Sequence, residues 1–450
     1  MARERRKRIY DKNVCYTVLK YYVGLFYKMA YRKREYHGLN KIPKDGAVIF
    51  APNHTNALMD ALAVLFINKN PKVFVARADI FKKPLFSRIL FFLKIMPINR
   101  IRDGRDTLKN NDETIQLSAD VLIHDVPFVI LPEGTHRPMH SLLPLGKGIF
   151  RIALLANEEL QGYRPVYIVP MGIEYGNFFR YRSSLLMQIG DPINVTSYVA
   201  ERPGMDQPTM MNELKHTLSS VMKDLILYIP DDEYYNATWE LCNMCCYARL
   251  RMLKLKRTLL KNRLTVNKMT VADIQAIRSE QPQKAEDLLS RSRTFAEERK
   301  SKQISMASVA SPYPGLNLFC RSFLMIILFP YFVACTVVCT PVMLVSRALC
   351  SKMEDAAFHN SVRYVAGLVV WTITFLILII FLFSFLPWLT ALIAALALFP
   401  AYLLFEEYCR WFRVTRSDYR WMRSKDLRKE KKNLVESVLQ TIENPDEYSY

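Results

Sequence analysis

Hydrophobic and polar positions fall into distinct regimes along the chain. Between residues 36 and 230, short apolar runs (AVIFAP, KVFVA, FVILP, VYIVPMGI) alternate with stretches of helical period over 56–68, 84–94, 112–124 and 147–160. Runs of that length predict buried strands, and their alternation with helices predicts βα units in a mixed or parallel sheet. Residues 231–300 are polar with helical period and interspersed charge. The stretch 301–315, SKQISMASVASPYPG, reads as a linker rich in serine and proline.

From 316 to 405 the pattern becomes that of a membrane. Neither Ser322–Ser346 nor Val365–Phe405 contains a charged residue. About 20 apolar residues cross a hydrocarbon core. The second stretch, 41 residues long, therefore predicts a hairpin of two spans turning near Phe385–Leu389. The first predicts one span, or a re-entrant loop broken at Pro330 and Pro341. Residues 1–35 hold a basic head followed by VCYTVLKYYVGLFYKMAYRKR, whose aromatics and lysines suit a helix lying in the interface.

The charge balance sharpens this picture. The chain carries 62 Lys+Arg against 42 Asp+Glu, a net +20, with 51% hydrophobic residues. Such a surplus calls for an anionic partner, nucleic acid or an acidic membrane face. The basic runs flank apolar segments rather than lining an aromatic groove, so membrane lipids are the expected partner and nucleic acid is not. Positive-inside logic puts both the α/β domain and the basic tail, 406–450, on the cytoplasmic face. That needs an even number of crossings and favours a re-entrant first segment. Nine scattered cysteines form no extracellular framework, and Cys242, Cys245 and Cys246 read as small apolar helix residues rather than metal ligands. No cleavable signal peptide is expected from the charged N-terminus, and the compartment reads as reducing.

Candidate chemistry gathers where the predicted strands end. APNHTNALMDAL places Asn53 and His54 after an apolar run and Asp60 in the following helix. A neutral imidazole can take a proton from a hydroxyl that attacks a carbonyl, provided a carboxylate holds its other nitrogen. Asp60 is placed to fold back on His54, and Asn53 to brace the loop. MPINR ends another run at Asn99 and Arg100. LPEGTHRP ends a third with Glu133, Gly134, Thr135, His136 and Arg137, and YIVPMGI a fourth with Pro170 and Gly172. Arginines there can clamp a phosphate with paired donors, and a glycine lets backbone N–H groups approach the same anion.

These blocks, in this order, resemble the glycerolipid (phospholipid/glycerol) acyltransferases across about Gly38–Asp191. The usual first block has four residues between His and Asp, whereas five intervene here, as in the eukaryotic-type glycerol-phosphate branch. MPINR resembles the second block. LPEGTHRP resembles a P-E-G-T-R third block with His136 inserted, so either His136 or Arg137 does the work of its arginine. IVPMGI resembles the fourth.

The resemblance implies a mixed α/β sheet flanked by helices, extended by a helical region and C-terminal transmembrane helices. It implies an O-acyltransferase of phospholipid biosynthesis that moves a fatty acyl group from acyl-CoA or acyl carrier protein to a glycerol-phosphate hydroxyl. The acceptor is glycerol-3-phosphate or its 1-acyl derivative. His54 would be the general base and Asp60 its orienter. Asn53, Arg100, Glu133, Gly134 and Thr135 would serve the acceptor, with His136 or Arg137 near its phosphate. No metal, no cofactor beyond the donor and no covalent acyl-enzyme are expected. Two rivals stand beside this reading: an acyltransferase for another lysolipid or an aminolipid, and an inactive lipid-binding scaffold in which His54→Ala changes nothing.

Overall fold

The computed structural model describes residues 9–99, 111–355 and 357–440. The chain divides into two compact units. One holds the residues up to Ile226 together with Cys350–Tyr364, and the other holds Leu227–Leu349 and the chain from Val365 onward.

The first unit is built on an eight-stranded mixed sheet flanked by helices. In chain order its elements are α1 (Val14–Ala30), β1 (Tyr31–His37), β2 (Ala47–Pro52), α2 (Leu58–Leu65), β3 (Val73–Arg77), α3 (Pro84–Phe92), β4 (Ile95–Ile98), α4 (Asn111–Ile123), β5 (Phe128–Val129), α5 (Gly148–Leu160), β6 (Val166–Tyr175), β7 (Ser183–Ile189), β8 (Ile193–Asn194), α6 (Val195–Ala200) and α7 (Gln207–Leu225). The strands run β1-β7-β6-β2-β5-β3-β4, with β8 beside β6. From β6 through β4 all are parallel. β7 runs antiparallel to β6, and β1 parallel to β7.

β2 is central and buried at every position, which explains its unbroken apolar run. Ile49, Phe50, Phe128, Val129, Ile168 and Val169 form the middle of the core, with Ile149, Phe150 and Ala153 of α5 and Leu214, Leu218 and Met222 of α7 covering the sheet. At Gly172 a Cβ would meet the Leu225 carbonyl oxygen at 2.5 Å, so only glycine lets the end of α7 approach β6. α1 ends at Ala30, and the polar residues 31–37, expected to close an N-terminal helix at 35, instead form the edge strand β1. α1 buries Tyr16, Phe26 and Tyr27 on one face and leaves Val14, Val18, Tyr21 and Leu25 exposed on the other.

In the second unit, α8 (Tyr235–Met252), α9 (Leu260–Glu280), α10 (Pro282–Ser301) and α15 (Lys425–Leu439) pack around Leu241, Cys245, Ile274, Leu288, Phe295 and Leu434. Cys242, Cys245 and Cys246 lie inside this core, and burial pushes the Cys245 thiol up to about 12. The stretch 301–315 holds the short helix α11 (Met306–Val309). Three helices are long and apolar enough to cross a membrane: α12 (Pro314–Cys350), α13 (Phe358–Phe385) and α14 (Trp388–Arg423). The turn between α13 and α14 falls at Leu386–Pro387, where the hairpin was expected. α12 differs from the expected broken segment: it runs through both Pro330 and Pro341 without interruption. An apolar helix tolerates proline because local adjustment and neighbouring hydroxyls take up the freed carbonyls.

Candidate functional site

The parallel strands point their carboxyl ends the same way, and the loops that leave β2, β5 and β6 meet there, as in open α/β sheets generally. Asn53, the residue after β2, is 1% exposed. Its amide nitrogen donates to the Ile173 carbonyl at 3.1 Å, and its oxygen accepts from the Ile173 N–H at 2.6 Å. The side chain thus continues the β2–β6 ladder one step beyond the backbone. Sequence reasoning assigned Asn53 to the acceptor, but both ends of its amide are engaged by the sheet.

His54 Nδ1 stands 2.8 Å from Asp60 Oδ2. Asp60 lies in the first turn of α2 with no exposed surface, and it is surrounded by donors. Oδ2 also accepts the backbone N–H of Thr55 at 2.8 Å and of Asn56 at 2.7 Å, while Oδ1 accepts the Tyr175 hydroxyl at 2.7 Å. Those donors, with the positive end of the α2 dipole, suit an ionised carboxylate. An ionised Asp60 only accepts, so the His54 proton resides on Nδ1 and Nε2 keeps its lone pair. Burial and the neighbouring Asp60 charge hold the Tyr175 hydroxyl protonated far above the ordinary tyrosine range.

The fifth residue between His54 and Asp60 is absorbed by a tight turn. Met59 N–H donates to the Asn56 carbonyl at 2.9 Å, and Ala57, at the first central position, has φ 43° and ψ −122°. That is the first corner of a type II′ turn, a place normally given to glycine.

The loop after β5 is fastened to the His54 loop at two points. Glu133 Oε1 accepts the His54 N–H at 2.6 Å, and Arg137 N–H donates to the His54 carbonyl at 3.1 Å. Glu133 Oε2 accepts from Leu143 N–H at 2.8 Å. Both its oxygens are therefore used within the fold, and burial pushes its carboxyl up to about 7 against the pull of these N–H groups. Gly134 is exposed with φ 65°, and an added Cβ would meet no atom within 4 Å. Backbone conformation rather than space therefore accounts for glycine there. Thr135 and His136 follow, half-buried, and the His136 ring lies 5.4 Å from that of His54. Arg137 donates to Ser141 Oγ at 2.6 Å. Arg100 lies outside the described residues.

Several neighbours were not anticipated. Tyr175 is one, signalled only by its position near the end of the strand beside β2. Buried His140 and half-buried Glu174 form a second pair, Nδ1 to Oε2 3.1 Å. Asp355 and Phe358 also reach the site, from a segment far along the chain. Among the described residues, no group of three or more His, Cys, Asp or Glu side chains is arranged to hold a metal.

Residues 33–174, from β1 nearly to the end of β6, match the family model described as Acyltransferase. That segment is an acyltransferase-family domain. It contains His54, Asp60 and the whole Glu133–Arg137 loop. Among solved structures, the chain is similar to the 1-acyl-sn-glycerophosphate (LPA) acyltransferase PlsC from Thermotoga maritima, at 19% identity and a TM-score of 0.34. That likeness covers 46% of this chain and 77% of the other. No curated protein matches the chain significantly.

Proposed function

We propose that this protein is a membrane-bound O-acyltransferase that transfers a fatty acyl group from a thioester donor, acyl-CoA or acyl carrier protein, to a hydroxyl of a glycerol phosphate. The acceptor is glycerol-3-phosphate or 1-acylglycerol-3-phosphate. The observation that carries this reading is the His54–Asp60 pair, 2.8 Å apart inside an acyltransferase-family domain. His54 Nε2 takes the acceptor hydroxyl's proton as that oxygen attacks the thioester carbonyl. Asp60 holds the Nδ1 proton and stabilises the imidazolium. The tetrahedral intermediate collapses with cleavage of the C–S bond, and the imidazolium returns its proton to the departing sulfur. The products are an ester and a free thiol.

Arg137, with Thr135 and His136, borders the acceptor, and Arg100 belongs to the same group by its block. The three apolar helices retain the protein at the bilayer where donor tails and lipid product partition, and the basic surplus favours the cytoplasmic face. Labelled acyl-CoA offered to the purified protein in detergent, with each acceptor in turn, tests the reading. Turnover with one acceptor, lowered by roughly 10³-fold or more in His54→Ala, is expected for loss of a general base held by a carboxylate. Equal turnover in wild type and His54→Ala would end the mechanism.

A further inference from the structure

The segment Cys350–Tyr364 lies between α12 and the body of α13 in sequence, yet it belongs to the first compact unit. Its contacts there are specific. Asp355 Oδ2 stands 2.9 Å from His136 Nε2, while Asp355 Oδ1 accepts the Ala357 N–H at 2.8 Å. The Phe358 ring meets the His136 ring edge-on at 4.6 Å. Farther along, Arg363 donates to the Phe179 carbonyl at 3.2 Å, and the Tyr364 hydroxyl donates to the Val23 carbonyl at 2.7 Å. The segment is therefore a strap with its middle against His136 and its C-terminal end fastened to Phe179 and Val23.

His136 is held from two sides. One side of its ring faces the strap and the other faces His54, 5.4 Å away. An exposed ion pair alone would fix little, but the His136 side chain is only 13% exposed, and Phe358 limits its ring rotation. The charged groups acting on it oppose one another. Burial and then the His54 ring disfavour the imidazolium and outweigh the carboxylates of Asp355 and Asp60, so His136 is held below the ordinary histidine range. Asp355 is the one in direct contact. Arg137 is adjacent in the chain, and its guanidinium donates to Ser141.

We propose that Asp355 is a positioning residue for acyl transfer, holding the His136 ring beside His54 as a fixed wall of the acceptor site. The assignment rests on the glycerol-phosphate reading above. With Asp355 present, His136 donates its Nε2–H to the strap and its ring is fixed. Without it, the ring is free to turn, and the acceptor loses one wall of its site.

The test uses the full-length protein in detergent, with kcat and the acceptor KM measured separately from pH 6 to 8.5. Asp355→Ala should raise the acceptor KM about tenfold, the loss of one charge-assisted contact, with kcat changed less than about threefold. Asp355→Glu should recover most of the affinity. In the near-isosteric Asp355→Asn, whose amide oxygen can still accept the His136 Nε2–H, the rise in KM should be smaller than in Asp355→Ala. His136→Ala/Asp355→Ala should be no worse than His136→Ala, since the carboxylate acts through the imidazole. An unchanged KM in Asp355→Ala, or full additivity in the double variant, would overturn the proposal. If His54→Ala were as active as wild type, the underlying acyl-transfer reading would fall instead, whatever Asp355 does.

Discussion

Tyr175 and His54 hold opposite oxygens of one buried carboxylate: Asp60 Oδ1 takes the tyrosine hydroxyl at 2.7 Å and Oδ2 the imidazole at 2.8 Å. The two contacts have different origins. The imidazole comes from the loop after β2, and the tyrosine from the end of β6, the next strand in the sheet. Asp60 is thus positioned by the sheet as well as by its own helix.

Tyr175→Phe removes that second support and leaves Oδ1 buried without its donor. An unsatisfied buried acceptor costs about 1–3 kcal/mol. The variant should melt at lower temperature than wild type, and its acyl-transfer kcat should fall by about tenfold as Asp60 orients His54 less firmly. Thermal unfolding and initial rates measured together check both effects. A change in neither would mean that the Tyr175 hydroxyl is dispensable to Asp60.

The turn at Ala57 carries strain that glycine would relieve. A non-glycine residue in such a conformation costs about 1–3 kcal/mol, against about 0.5–1 kcal/mol for the added backbone freedom of glycine. Ala57→Gly should therefore raise stability by about 1 kcal/mol, read as a higher denaturant midpoint with unchanged slope. Ala57→Val should lower it, because a branched side chain fits that corner still less well.

Glu133 makes stability depend on pH in a direction opposite to most carboxylates. Burial raises its carboxyl from 4.5 to about 7, so the fold favours the protonated form. Its contribution is complete below the unfolded value and is lost as pH rises through about 7. Wild type should lose melting temperature between about pH 4.5 and 7 relative to Glu133→Gln, which cannot titrate there. Parallel pH–melting profiles for the two proteins would remove Glu133 as the source.

The sheet's centre was legible because β2, β3, β5 and β6 are apolar runs bounded by polar loops, and the helices between them kept their period. The first three blocks pointed to strand ends, with His54, Asp60, Glu133 and His136 brought to one place, whereas Pro170 and Gly172 of the fourth lie inside β6. Periodicity was blind to β1. YRKREYH is a charged sheet edge, and charge on an edge strand guards against pairing with other chains rather than marking a core. The engagement of Asn53 and Glu133 was invisible for another reason. A polar residue beside a histidine looks like part of the chemistry until its backbone partners are known. Asp355 had no local signal at all, since it meets His136 across 219 positions.

That long-range contact also decides how the chain can thread a bilayer. A segment lying against His136 is in the same aqueous compartment as His136. A cysteine placed at Lys352 should accordingly react with an impermeant thiol reagent from the same face as the exposed Cys15. However many of α12, α13 and α14 cross, the stretch that joins α12 to α13 is thereby tied to the face that carries His54.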